Sequence, residues 1–205
     1  MKIITVSREF GSGGRELGKR LADVLGFDYY DREIITEIAQ NCGLNETYVE
    51  QELSHFAWHT IPLTFKHSFS AYFALQNVHT GLLLEQRKVI EKIAETGRDC
   101  IIVGRNADVI LRDKNPLNIF VCADAASKLQ RCRERASHDE HLTDKQMARK
   151  IRAIDKNRSK LRELITDAKW GDRQNYHLIV NTTGWNIKQL TFAVAEYATR
   201  WFERG

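Results

Sequence analysis

Proline is nearly absent, with two residues in a chain of 205, and no Ser/Gly-rich tract, single-sign charge run or internal repeat is present. Their lack excludes an obvious flexible linker and a low-complexity or repeat architecture. Cysteine is sparse. Cys42, Cys100, Cys122 and Cys132 show no C-x-x-C spacing, and three of them lie in apolar segments where Cys acts as a small hydrophobe. The histidines give no spacing set resembling a zinc site, and His55, His59 and His67 fall in an aromatic-rich stretch where packing or solvent-facing roles are expected. No apolar run approaches the roughly 18 residues of a membrane span, and the chain opens on a strand-like segment without the apolar core of a signal peptide. The expectation is a reducing, cytoplasmic setting with no membrane partner.

Charge of one sign is also lacking, since 31 Lys and Arg against 27 Asp and Glu leave a net charge of only +4. So mild an excess does not by itself imply nucleic-acid binding, and no RNP-like aromatic run, zinc knuckle or helix-turn-helix pattern adds to it. The basic residues do concentrate between Arg131 and Arg173, where a solvated helix face and an anion-binding role both remain open. With 42% hydrophobic residues the chain can bury a full core, and its length favours a single domain over 1–205.

Five apolar runs read as buried strands, at 3–6, 27–30, 100–103, 118–122 and 177–181. Helical patterns alternate with them. Leu17, Leu21, Val24 and Leu25 recur at helical spacing after the first, and Ile34, Ile35, Ile38 and Cys42 after the second, with Gly43 as C-cap. A last helix from Asn186 places Ile187, Leu190, Val194, Tyr197 and Trp201 on one face. This alternation predicts a parallel α/β sheet with right-handed crossovers. Two stretches exceed a minimal alternation. Residues of about 45–96, with the aromatic-rich segment "HFAWHTIPLTFKHSFSAYFALQNVHTG", suggest a helical insertion with its own apolar cluster. Residues 137–172 contain a long basic helix opened by a Thr143/Gln146 capping box.

The opening segment "ITVSREFGSGGRELGKRLADVLG" has the strand, glycine turn and helix order of a phosphate-cradling loop. A Walker loop, G-x-x-x-x-G-K-[ST], surrounds phosphates with backbone N–H groups at a helix N-terminus and adds a lysine and a hydroxyl. Aligned on the helix, Arg8 takes the place of the first glycine, Gly13 the second, Gly14 the lysine and Arg15 the hydroxyl. The lysine is missing. "GSGGR" still offers Gly11, Gly13 and Gly14 for close approach, a hydroxyl at Ser12, and cations at Arg8 and Arg15, so phosphate binding and a tight turn without ligand are both open. Arg105 follows the third strand, at the sheet edge where open α/β folds bind ligands. Asp31 and Arg32 follow the second. Arg152, Asp155, Arg158 and Arg162 share about one third of a helix circumference, as a surface ion-pair ladder or as a binding stripe.

Five ordered segments, "SREFGSGG", "YYDREII", "IIVGRNADVIL", "IDKNRSK" and "KWGDRQNYHLIVNT", make nearly the whole chain similar to the cytidylate kinase-like proteins, a branch of the nucleoside monophosphate kinases. The resemblance implies a P-loop kinase-like three-layer α/β fold: a five-stranded parallel sheet formed by 1–44, 97–136 and 173–205, a helical acceptor-binding insertion at about 45–96, and a lid at about 137–172. It implies phosphoryl transfer from ATP with Mg2+ to a nucleoside monophosphate, CMP or a relative, with a non-catalytic nucleotide-binding protein as the alternative. Gly11, Ser12, Gly13, Gly14 and Arg15 are then the ATP loop. Asp31, Arg105, Asp155 and Arg158 match acceptor-binding positions, and Arg8, Arg15 and Arg105 are the catalytic cations, with Arg8 or Arg15 taking over part of the lysine's work. The family's G-R-D has become "GRN", leaving Asp108 either as a substitute carboxylate or as a helix N-terminal charge.

Overall fold

The computed structural model describes residues 1–55, 69–136 and 142–204. Five strands, β1 (Ile3–Arg8), β2 (Asp28–Tyr30), β3 (Cys100–Val103), β4 (Leu117–Cys122) and β5 (Leu178–Asn181), form one sheet in the order β2-β3-β1-β4-β5. Every pairing is parallel, so all five strands deliver their C-terminal residues to one edge. The two strands after which Arg8 and Arg105 are reached lie side by side in the middle, with Val6 opposite Val103.

Side chains alternate through the sheet with period two. Ile4 and Val6 of β1, Ile101 and Val103 of β3, and Ile119 and Val121 of β4 enter one core, against α1 (Gly14–Leu25) and α8 (Ile187–Glu203). Ile3, Cys100 and Ile102 enter the other, against α2 (Glu33–Cys42), α3 (Glu46–His55), α4 (Phe69–Glu95) and α5 (Ala107–Ile110). Helices therefore cover both faces, as strands apolar on both sides require.

Local chemistry sets the helix ends. Gly26 and Gly43 take left-handed φ of 68° and 64° and return their N–H groups to the last turns of α1 and α2. The basic helix α7 (Asp144–Ile165) follows α6 (Ala125–Glu134) and opens on a complete capping box, in which Gln146 Oε1 accepts the Thr143 N–H at 2.8 Å. Two members of the expected apolar stripes lie outside the core. Val24 is 46% exposed and Cys42 is exposed, whereas Leu25, the last residue of α1, still packs against the core.

Segment 45–96 contains α3 and the long α4. Its expected private apolar cluster lies largely outside the described residues. The described apolar side chains of this segment, among them Val49, Leu53, Leu82, Val89 and Ile90, join the same core as β3 and α2. No helix among the described residues is long and apolar enough to cross a membrane.

Candidate active site

The loop between β1 and α1 is shaped by two left-handed glycines, Gly11 at φ 78° and Gly13 at φ 81°. It is packed from outside. A Cβ on Gly11 would lie 2.9 Å from Cys132 Sγ and from the Lys128 carbonyl, and one on Gly13 would lie 2.7 Å from Ile187 Cδ1. Glycine is therefore needed at both positions by α6 and α8 as well as by the turn. Gly13 is the N-cap of α1 and no side chain caps that helix, which leaves first-turn N–H groups and the positive end of the helix dipole at the loop. Ser12 does not present its hydroxyl. It is fully buried and donates to the Glu9 carbonyl at 2.8 Å, so the phosphate-facing hydroxyl expected from the sequence is turned inward to brace the loop.

Arg8 occupies the ground where a Walker loop has glycine. Its stem lies on Gly14, whose Cβ would stand 2.6 Å from Arg8 Cβ and 3.2 Å from Val121 Cβ. Its guanidinium lies where a Cβ on Gly104 would be, and Nη2 is 3.4 Å from Asp31 Oδ1. The side chains of Arg8 and Asp31 are only 13% and 5% exposed. Arg15 reaches the other oxygen of Asp31 at 2.5 Å but is 55% exposed, so of the two candidate cations Arg8 is the one inside the site. Burial pulls the Arg8 guanidinium down to about 9, with the adjacent Arg158 charge adding to the effect and Asp31 opposing it. Arg32, in contrast, faces outward toward Glu50 at 3.9 Å.

The helix α7 closes over this group. Arg158 Nη1 donates to the Arg8 carbonyl at 2.9 Å, and its guanidinium stands 5.8 Å from the Phe10 ring centre. Burial lowers Arg158 to about 10, against the pull of Asp155. Asp155 Oδ1 accepts the Phe10 N–H at 2.7 Å, while Oδ2 takes Lys128 Nζ at 3.3 Å. Both oxygens of Asp155 thus hold the loop and α6, a task that the motif resemblance had not suggested. Of the helix stripe, Asp155 and Arg158 do pair along the helix at 3.5 Å, whereas Arg152 is exposed and Arg162 turns inward to a buried ion pair with Asp108, 2.5 Å apart, in the first turn of α5.

Arg105 stands at the end of β3 in an unusual backbone. Gly104, Arg105 and Asn106 have φ of 76°, 58° and 53° in succession, a left-handed run that glycine and asparagine tolerate and that costs roughly 1–2 kcal/mol at Arg105. Its side chain makes no ion pair among the described residues, and burial lowers its pKa, with Asp31 and Glu50 opposing. Counting Lys128, five cations (Arg8, Arg15, Arg105, Arg158, Lys128) meet three carboxylates (Asp31, Glu9, Asp155), an excess of two positive charges. A cavity of about 240 Å3 opens on this side, lined by Arg8, Gly13, Gly14, Arg15, Arg131 and Arg158 among others. Arg131 gives its donors to neutral oxygens, the Thr182 hydroxyl at 3.1 Å and carbonyl at 2.6 Å. Partly desolvated cations beside uncapped helix N–H groups are the chemistry that an anion site requires.

Sequence reading brought Arg8, Arg15, Asp31, Arg105, Asp155 and Arg158 to this place, and the structure brings them together. It missed Glu9, Lys128 and Arg131. For Arg131 the only signal was the basic concentration that begins there.

Two outcomes follow from this geometry. Restoring a Walker lysine alone, as Gly14→Lys, drives its Cβ into the stem of Arg8, so tripolyphosphate binding by calorimetry should weaken at least tenfold; Arg8→Gly with Gly14→Lys should recover binding relative to Gly14→Lys. A gain from the single change would contradict the packing. The second outcome concerns pH. Because Arg8 is charged in the free protein only below about 9, while tripolyphosphate stays anionic, affinity should fall as pH rises through that value. Arg8→Met should remove that step; a flat profile in the unmodified protein would contradict it.

An uncharacterized protein from Eubacterium ventriosum superimposes with a TM-score of 0.70 at 24% identity, covering 97% of this chain and 99% of that one. Shikimate kinase from Bacteroides thetaiotaomicron gives 0.57 at 15% identity, covering 96% and 97%. Shikimate kinase from Acinetobacter baumannii, in complex with shikimate, gives 0.55 at 12% identity, covering 98% and 94%. The fold is that of the P-loop kinases. No curated protein sequence matches. The family model described as cytidylate kinase-like matches residues 3–184, and the chain belongs to the cytidylate kinase-like family.

Proposed function

We propose that this protein transfers the terminal phosphoryl group of ATP to a nucleoside monophosphate, CMP or a close relative. The observation that carries this reading is the convergence of Arg8, Arg15, Arg105 and Arg158, from four different elements, around Asp31 beside an uncapped helix N-terminus. Phosphoryl transfer asks for two phosphates in line and for cations where charge accumulates, and little else from a protein. Family membership and the kinase fold support the same class of reaction.

In this reading the first-turn N–H groups of α1 and the loop 11–15 cradle the donor phosphates. Arg8 replaces the lysine. Charged at neutral pH and able to bridge two oxygens, its guanidinium serves between donor phosphates even though its stem starts on β1 instead of α1. When phosphates enter, Arg8 and Arg15 exchange Asp31 for a stronger anion, and the desolvation of Arg8 is offset. Arg105 and Arg158 take the acceptor's phosphate from the other side. Asp155 keeps the loop and Lys128 in place, and Asp31 keeps Arg8 and Arg15 aligned before the nucleotide arrives.

An oxygen of the acceptor phosphate then bonds to the terminal phosphorus of ATP while the bond to the bridging oxygen breaks, leaving ADP and a nucleoside diphosphate. An ionised acceptor phosphate needs no general base. Among the described residues no three His, Cys, Asp or Glu side chains gather to hold a metal, so Mg2+ fits here as a companion of the nucleotide, bound through its phosphate oxygens.

A panel of nucleoside monophosphates with ATP and Mg2+, and shikimate beside them because two proteins of similar fold act on it by name, tests the reading. ADP and a pyrimidine nucleoside diphosphate should form together. Arg8→Ala should lower kcat about 100- to 1000-fold, the usual effect of removing one transition-state charge contact. ATP binding without any transfer across the panel would support a nucleotide-binding role instead.

A further inference from the structure

The left-handed run at 104–106 is held by two sets of groups that have no part in the anion site itself. From α4, the Gln86 side chain donates through Nε2 to the Arg105 carbonyl at 3.1 Å. Gln86 is 2% exposed, and its Oε1 has no hydrogen-bond partner among the described residues. An apolar side chain there would avoid the orphaned Oε1 but would leave the Arg105 carbonyl without its donor, so what the amide contributes is its one bond to the backbone of Arg105.

A second brace comes from Asp108 and Arg162. Asp108 lies three residues after Arg105 and Arg162 one turn after Arg158 on α7, and both side chains are at most 4% exposed. Asp108 Oδ1 and Arg162 Nε are unpartnered among the described residues, and the Arg162 guanidinium stands 6.0 Å from the Tyr176 ring centre. A buried pair with unused donors and acceptors is poor value as a stabiliser, because apolar residues of the same volume do as well or better. Its effect is geometric: it fixes α5 to α7.

We propose that Gln86 and the ion pair of Asp108 with Arg162 are positioning residues for Arg105, holding the turn 104–106 left-handed so that this guanidinium meets the acceptor phosphate in register with Arg158. Both braces act on the same short turn, one on the peptide of Arg105 and one on the helix that begins two residues later. Since α7 also carries Arg158, one helix sets the distance between the two acceptor cations. The inference rests on the reading of Arg105 as an acceptor contact.

The test measures CMP and ATP affinity by calorimetry for the unmodified protein, Arg105→Ala, Gln86→Met, Asp108→Asn and the double variant Arg105→Ala with Gln86→Met, with a thermal melt of each. Gln86→Met keeps the volume and removes the bond. It should weaken CMP about tenfold, as loss of an orienting partner does, and leave ATP within twofold. The double variant should bind CMP no more weakly than Arg105→Ala, because Gln86 acts only through Arg105. Asp108→Asn should show the same split; should it fail to fold, Gln86→Met still decides. Additive losses, equal losses for CMP and ATP, or a lowered melting temperature with unchanged CMP affinity would overturn the inference while leaving Arg105 in the site. No CMP binding by the unmodified protein, or CMP affinity unchanged in Arg105→Ala, would overturn the acceptor reading and this inference with it.

Discussion

The course of one side chain, Arg8, constrains the rest of the site. It leaves the end of the central strand, lies on Gly14, passes Gly104 and ends at Asp31. Three positions on three elements are shaped by it: two can carry no Cβ without moving it, and the third supplies its carboxylate. The missing Walker lysine follows from the same packing. With arginine at the position of the first loop glycine, the lysine position must be glycine, so both departures from the standard motif are one exchange of cation between strand and helix.

That exchange creates an electrostatic demand. Arg8 and the half-buried Arg158 lie next to each other, and both are pulled below the ordinary arginine range, Arg8 by desolvation and the Arg158 charge, Arg158 by desolvation and the charges of Arg105 and Arg15. Such a cluster is held together by the surrounding fold, here by Asp31 below and by α7 above. The strap formed by α7 is tied at three successive turns: Asp155 to the Phe10 N–H, Arg158 to the Arg8 carbonyl, and Arg162 to Asp108. The first two ties lie on the end of β1 and the loop after it, and the third on α5, the helix that follows the turn carrying Arg105. A single rigid helix therefore relates the two halves of the site, and an anion placed between them relieves the repulsion that the free protein contains.

Much of this was legible in the sequence because it rests on local rules. The strand order of apolar runs, the Gly43 C-cap and the Thr143/Gln146 capping box are set by residues near in the chain, and each appears in the structure. The sheet edge also follows, since parallel strands place Arg8, Asp31 and Arg105 together whatever the loops do. Side-chain direction was less accessible. Nothing in "GSGG" tells that Ser12 faces inward, or that Gly11 is packed by α6. A helical stripe gives equal standing to Arg152 and Arg162, although the first is exposed and the second buried, because only the tertiary partner Asp108 separates them. Glu9 and Lys128 were invisible for the same reason: their meaning lies in a contact spanning more than a hundred residues.

The central claim is that Arg8 stands in for the lysine, and the structure of the complex with ADP and Mg2+ tests it most directly. The account predicts that the Arg8 guanidinium has left Asp31 and lies within hydrogen-bonding distance of the nucleotide's terminal phosphate, with that phosphate also on the first-turn N–H groups of α1. An Arg8 still paired with Asp31, with the phosphates bound away from it, would contradict the account.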